Sequence, residues 1–227
     1  FICPNIPPML EAHFAVPMIG AALVTVNIRL SPQEVAYILH HSEAKACFVD
    51  NEFASLVLPN LAELPGIKTF VNICDQSDTL PLNGPEYEAL LGSSGMEEVP
   101  IEVTDEREVV TINYTSGTTG KPKGVMYHHR GAYLNALGDC LEVGLRHDSV
   151  YLWTLPMFHC NGWCFPWAVT AAGATHVCLR KVDPAEIFRL IEKEDVSHMC
   201  GAPIVLIGMA NHPAAKQIKF KRRLEIA

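Results

Sequence analysis

The chain has 227 residues, nearly half of them apolar, which is enough to bury the core of one large or two small globular domains. Its net charge of −8, with no basic face and no basic patch interleaved with aromatics, argues against a nucleic-acid partner. The longest apolar run, near Phe14 to Val26, holds about thirteen residues and contains Pro17, too short to span a bilayer.

In chain order, that first run reads as a buried helix followed by a strand. Ser31-Pro32-Gln33-Glu34 is a capping box with proline at the first helical position, and Val35, Ile38 and Leu39 follow at helical spacing. Lys45 to Val49 reads as a strand, Leu56 to Leu64 as a helix stopped by Gly66, and Lys68 to Ile73 as the next strand. Between Asp75 and Glu108 stand ten acidic residues and one basic, with Pro81, Asn83, Gly84, Pro85, Gly92, Ser93, Ser94 and Gly95 among them. This stretch reads as an acidic, exposed connector.

Strands are predicted at Val109 to Tyr114 and Gly124 to His128, a helix at Gly131 to Leu145 with Leu134, Leu137, Leu141 and Leu145 at helical intervals, and a strand at Val150 to Leu155. Thr175 to Leu179 is strand-like, Asp183-Pro184-Ala185-Glu186 caps a helix carrying Ile187, Leu190 and Ile191, and Val196 to Cys200 resumes strand. Gly201-Ala202-Pro203 reads as a strand-to-helix turn, and the basic run Lys216 to Arg223 as a solvated segment. Alternation of this kind implies an α/β fold of mostly parallel sheet flanked by helices.

The eight cysteines are scattered, without a C-x-x-C pair, and sit mostly inside apolar strings, as small core hydrophobes of a reducing compartment do. The tightest cluster, His159, Cys160 and Cys164, lacks a fourth ligand and a familiar zinc spacing, so no metal site is assigned. His128 and His129, adjacent at the end of a strand, would point to opposite faces and are read as structural.

The stretch Tyr114 to Gly124 reads Y-T-S-G-T-T-G-K-P-K-G. Glycines admit an anion close to backbone N–H groups, hydroxyls add donors, and ammonium groups offset the charge that develops as a phosphate bond breaks. A Walker loop would need its two glycines five positions apart and a helix straight after its lysine. Here Gly117 and Gly120 are three apart and Pro122 follows Lys121, which favours extended backbone, so the loop is expected to join two strands. Downstream, Trp153 to Trp167 holds all three tryptophans and the sequence P-M-F-H-C-N-G.

These two stretches, with the opening N-x-P-x-M-x-E-A-H-F (Asn5 to Phe14) and Thr25-Val26-Asn27-Ile28-Arg29-Leu30, resemble the acyl-adenylate-forming, or AMP-binding, family. The detail is similar to plant and bacterial acyl-activating enzymes that make CoA thioesters of short-chain, medium-chain or aromatic acids. The resemblance implies part of the large N-terminal domain of an adenylate-forming enzyme, with the C-terminal domain absent. It implies that Thr115, Ser116, Gly117, Thr118, Thr119 and Gly120 contact the β- and γ-phosphates of ATP, and that Lys123 steadies the loop or the leaving pyrophosphate. Lys121 falls at a position the family lets vary. Mg²⁺ is expected with the ATP, and coenzyme A as the acyl acceptor.

By the same resemblance Pro156, Phe158, His159 and Gly162 match the acyl-pocket pattern. His159 would lie between the carboxylate and the thiol channel, and Phe158 and Trp163 would form apolar wall, bulky enough to argue against a long straight acyl tunnel. The family setting implies an intracellular protein, cytoplasmic or peroxisomal, with a homo-oligomer open to it. The chain begins at Phe1 without methionine and stops before the family's adenine, ribose and C-terminal lysine motifs, so it reads as a fragment expected to be inactive alone. Two other readings stay open: a truncated, non-catalytic isoform or relic, and an adenylating enzyme with an acceptor other than CoA.

Overall fold

Helix caps and β-branched runs set the elements, and the computed structural model, which describes residues 1–95, 98–115, 120–218 and 220–227, gathers them into two units. The first comprises Phe1–Pro4 and Pro8–Arg130, the second Asn5–Pro7 and Gly131–Ala227.

In the first unit helix α1 (Pro7–Met18) leads to strand β1 (Leu23–Thr25) and helix α2 (Pro32–His41). The capping box closes in both directions: the Ser31 hydroxyl accepts from the Glu34 N–H at 3.3 Å, and the Glu34 carboxylate accepts from the Ser31 N–H at 2.9 Å. These bonds favour the ionised form and hold the Glu34 carboxyl below its usual range. Strands β2 (Ala46–Asp50) and β3 (Thr69–Ile73) pair in parallel. The expected helix from Leu56 to Leu64 is instead two 3₁₀ segments, Asn51–Leu56 and Leu58–Glu63. Pro59 has no N–H to extend an α-helical ladder, and Asn60 leaves helical geometry at φ −118°, ψ 18°.

The described residues between 75 and 108 are mainly exposed, but the segment is pinned to the unit. Leu82 and Tyr87 are buried, and the buried Asn72 of β3 accepts from the Leu82 N–H at 3.1 Å and donates to the Leu82 and Gly84 carbonyls at 3.0 and 3.1 Å. A short helix, α3 (Tyr87–Ser93), follows. Strand β4 (Val109–Thr115) then runs parallel to β1 and antiparallel to β5 (Lys123–His128), in the order β1-β4-β5. The core packs Val35, Ile38 and Leu39 of α2 against Ile2, Val26, Cys47, Val49 and Leu82. Each such aliphatic side chain taken out of water contributes roughly 1.5–3 kcal/mol.

The second unit begins in helix α4 (His129–Val143); His128 ends β5 as expected, while His129 opens the helix and does not lie in the strand beside it. Of the four leucines at helical intervals, Leu134, Leu137 and Leu141 are exposed, the last by 84%, while Leu145, just past the helix end, is buried. The helix buries its small face instead, through Ala132 and Ala136, while Asn135 donates to the Trp163 carbonyl at 3.1 Å and the Cys140 thiol to the Ala168 carbonyl at 3.2 Å.

Strand β6 (Val150–Leu152), helix α5 (Phe165–Ala171), strand β7 (Thr175–Val177), helix α6 (Pro184–Glu194), strand β8 (His198–Met199), helix α7 (Pro203–Asn211) and strand β9 (Glu225–Ile226) complete it. The four strands are all parallel, ordered β7-β6-β8-β9. Ile187, Leu190 and Ile191 of α6 pack on Leu152 and Met199 of the sheet. The basic run before β9 is not simply solvated. Lys221 donates to the Glu192 carbonyl at 2.9 Å, and Arg222 to the carbonyls of Asp195 at 2.8 Å and Asp148 at 2.9 Å, so two cations satisfy acceptors at the C-terminus of α6.

Among the described residues no helix is long and apolar enough to cross a membrane. All eight cysteines are free, with Cys3, Cys47, Cys164 and Cys200 buried and the rest partly so.

Candidate active site

The glycine- and hydroxyl-rich stretch is a strand–loop–strand hairpin. Thr115, the last residue of β4, pairs with Lys123, the first of β5, and Tyr114 pairs with Gly124. Thr115 and Lys123 are both exposed at the loop mouth, with Lys121 beside them. Gly120 adopts φ +89°, in the region that only glycine enters without strain. Ser116, Gly117, Thr118 and Thr119 lie outside the described residues. No helix follows the loop, as Pro122 required.

The loop ends are seated on α2. The Tyr114 hydroxyl pairs with His41 Nδ1 at 2.8 Å, and the Tyr37 hydroxyl donates to the Pro122 carbonyl at 3.4 Å. Burial, with Tyr37 nearby, raises the Tyr114 phenol above its usual range. Gly124 has to be small: a Cβ there would come within 2.9 Å of Ile112 Cγ2 and 3.3 Å of the Tyr114 ring.

The tryptophan segment is built in the second unit around fully buried Trp153 and Tyr151, whose rings meet edge to face at 5.0 Å. Trp153 Nε1 donates to His176 Nδ1 at 3.0 Å, and His176 Nε2 lies 2.9 Å from the Thr170 hydroxyl. Burial pulls the His176 pKa down to about 4, and an indole N–H aimed at Nδ1 suits only the neutral ring. Asn5 braces the following backbone: its side chain donates to the carbonyls of Trp153 (2.9 Å) and Leu155 (2.6 Å) and accepts from the Met157 N–H at 2.8 Å.

After His159, which is extended at φ −121°, ψ 123°, five consecutive residues adopt left-handed φ: Cys160 at 49°, Asn161 at 49°, Gly162 at 51°, Trp163 at 58° and Cys164 at 68°. Left-handed helical backbone costs roughly 1–2 kcal/mol per non-glycine residue, so its surroundings must hold it. The Gly162 N–H bonds the His159 carbonyl at 3.0 Å, and Asn135, itself bonded to Asp139 at 3.2 Å, donates to the Trp163 carbonyl at 3.1 Å. Burial lifts the Asp139 carboxyl to about 6 and the Cys164 thiol, beside that carboxyl, to about 12.

Of the predicted pocket residues, Phe158 is buried, His159 is exposed at the start of this turn, and Trp163 is 57% exposed. Among the described residues no group of three or more His, Cys, Asp and Glu side chains is arranged to hold a metal. The left-handed turn, Asn135, Tyr37 and His41 were not singled out from sequence. Only Asn161-Gly162, a dipeptide that tolerates positive φ, signalled the turn.

A family profile described as AMP-binding enzyme matches residues 1–226. The chain belongs to the AMP-binding enzyme family. It is 43% identical over 230 residues to 4-hydroxybutyrate–CoA ligase 2 of Metallosphaera sedula, covering 100% of this chain and 42% of that protein. It is 43% identical to the peroxisomal acetate/butyrate–CoA ligase AAE7 of Arabidopsis thaliana, over 93% of this chain and 40% of the ligase. The chain thus spans about two-fifths of the length of these AMP-binding relatives. Its fold matches the N-terminal domain of FACL13 from Mycobacterium tuberculosis with TM-score 0.87 at 24% identity, covering 99% of this chain and 54% of that domain.

Proposed function

We propose that this AMP-binding chain carries the polyphosphate-binding hairpin and one side of the acyl pocket of an enzyme that activates a carboxylic acid with ATP and passes the acyl group to coenzyme A. In the first step a carboxylate oxygen attacks the α-phosphorus, the bond to the bridging oxygen breaks, and pyrophosphate leaves with the electron pair. In the second the CoA sulfur attacks the acyl carbonyl, its proton goes to solvent or base, and AMP leaves.

Thr115, Ser116, Gly117, Thr118, Thr119 and Gly120 would donate to the β- and γ-phosphates, and Lys123 would offset charge on the departing pyrophosphate. Mg²⁺ carried with the triphosphate would neutralise part of that charge. Phe158 and Trp163 would line the acid, with His159 at the boundary between carboxylate and thiol. The relatives' names specify 4-hydroxybutyrate, acetate and butyrate. Bulky side chains in the segment Phe158 to Phe165 suit an acid of that size or a compact aromatic one better than a long straight chain.

The observation that carries this reading is the hairpin: a seven-residue loop between antiparallel strands, glycine at a positive φ, and lysines at its closing end. The test is isotopic exchange of pyrophosphate into ATP by the product of the complete gene, run over a panel of carboxylic acids. Exchange that depends on a short-chain or aromatic acid is expected. Absence of exchange with every acid would contradict the reading.

A further inference from the structure

Tyr37 and His41 stand four residues apart on α2 and so share one face of the helix, with their rings stacked at 5.3 Å. That face meets the hairpin at both of its ends. His41 Nδ1 is 2.8 Å from the hydroxyl of Tyr114, one residue before the end of β4, and the two rings meet edge to face at 5.8 Å. Tyr37 reaches the carbonyl of Pro122, the residue before Lys123, at 3.4 Å. Gly124 leaves the space into which the Tyr114 ring fits.

We propose that Tyr37, His41 and Tyr114 are positioning residues that clamp the two ends of the phosphate loop to α2 and so hold Thr115 and Lys123 at a fixed spacing for the polyphosphate. This rests on the functional reading above. Thr115 and Lys123 would lose conformational freedom on binding an anion, and fixing their neighbours Tyr114 and Pro122 beforehand removes part of that entropy cost. The helix that carries Tyr37 and His41 is capped at its opposite, N-terminal end by the Ser31–Glu34 box and buried through Val35, Ile38 and Leu39, so the anchor is firmly seated.

The variants are Tyr114→Phe, which keeps the ring and removes the hydroxyl, His41→Ala, Tyr37→Phe, and the Tyr114→Phe/His41→Ala double, all made in the product of the complete gene. Two readouts are taken: KM for ATP against KM for the acid in pyrophosphate exchange, and the rate of trypsin cleavage at the Lys123–Gly124 bond with and without pyrophosphate. The clamp predicts that each single variant raises KM for ATP about five-fold, the scale of one lost hydrogen bond, while KM for the acid stays within about two-fold. It predicts faster cleavage at Lys123–Gly124, partly reversed by pyrophosphate. It also predicts that the double variant is no worse than the weaker single one, since both break the same contact. Unchanged KM for ATP and unchanged cleavage in Tyr114→Phe and His41→Ala would overturn the clamp. If the wild-type protein exchanges with no acid, the catalytic reading fails, and the cleavage rates alone still decide whether α2 holds the loop.

Discussion

A Cβ atom added to Gly162 would lie 2.5 Å from Cζ3 of Trp153, closer than any two carbons can pack, and Gly162 also sits at φ +51° in the middle of the left-handed turn. The glycine of the P-M-F-H-C-N-G sequence is therefore required twice, by the fully buried indole beneath it and by its own backbone. Gly162→Ala should destabilise the second unit by about 2–3 kcal/mol, combining overpacking against a rigid ring with positive-φ strain. Urea unfolding followed by tryptophan fluorescence checks this, and a shift below about 0.5 kcal/mol would mean that the turn relaxes.

Asn135 is the side chain that reaches the carbonyl of Trp163 from α4. Asn135→Leu should cost about 1 kcal/mol of stability and release the turn, raising KM for the acid several-fold while leaving KM for ATP unchanged. Steady-state kinetics with both substrates varied separates this from a general loss of fold, which would lower kcat for both without the split.

Acid should weaken the first unit through His13. This residue is fully buried, its Nδ1 lies 2.7 Å from the Met9 carbonyl, and desolvation pulls its pKa from 6.5 down to about 4. The folded chain therefore binds fewer protons than the unfolded one between these values, so stability falls as pH drops from about 6.5 towards 4. The loss amounts to about 2–3 kcal/mol by pH 4. In the second unit His176 acts in the same direction, but the raised Asp139 carboxyl opposes it, since a group that keeps its proton to about 6 when folded gains stability as pH falls through that value. Denaturant titrations at pH 7.5, 6 and 5 should show a decline that His13→Gln reduces, and an unchanged slope in that variant would assign the acid sensitivity elsewhere.

Arg222 joins three stretches of the second unit by donating to the carbonyls of Asp195 and Asp148 from the segment before β9. Arg222→Ala should lower stability by about 1.5–3 kcal/mol, the range for hydrogen bonds from a charged donor, while Arg222→Lys recovers only part, because an ammonium lacks the fork that reaches both sites. Thermal unfolding of the two variants is the check.

Local signals were legible in the sequence because their partners are close along the chain. The Ser31–Glu34 capping box, the Asp183 cap on α6 and the strand–loop–strand form of the hairpin all depend on residues within a few positions, and Pro122 alone excludes a helix after the loop. What the residues could not disclose depends on distant partners. His41 meets Tyr114 across 73 positions and Asn5 meets Trp153 across 148. The leucine face of α4 looked like a core face by period, yet burial went to Ala132 and Ala136, because small side chains let that helix approach its neighbours closely. Pro59, which has no N–H, breaks the helix that the leucines between Leu56 and Leu64 suggest.

The claim that the hairpin from Thr115 to Lys123 holds the polyphosphate is tested most directly by acid-dependent pyrophosphate exchange in the product of the complete gene, comparing wild type with Ser116→Ala and Lys123→Ala. The account predicts that Lys123→Ala lowers exchange about 100-fold, as loss of a charge-stabilising donor does, that Ser116→Ala lowers it about ten-fold, and that neither shifts the unfolding midpoint appreciably. Exchange at the wild-type rate in both variants would contradict it.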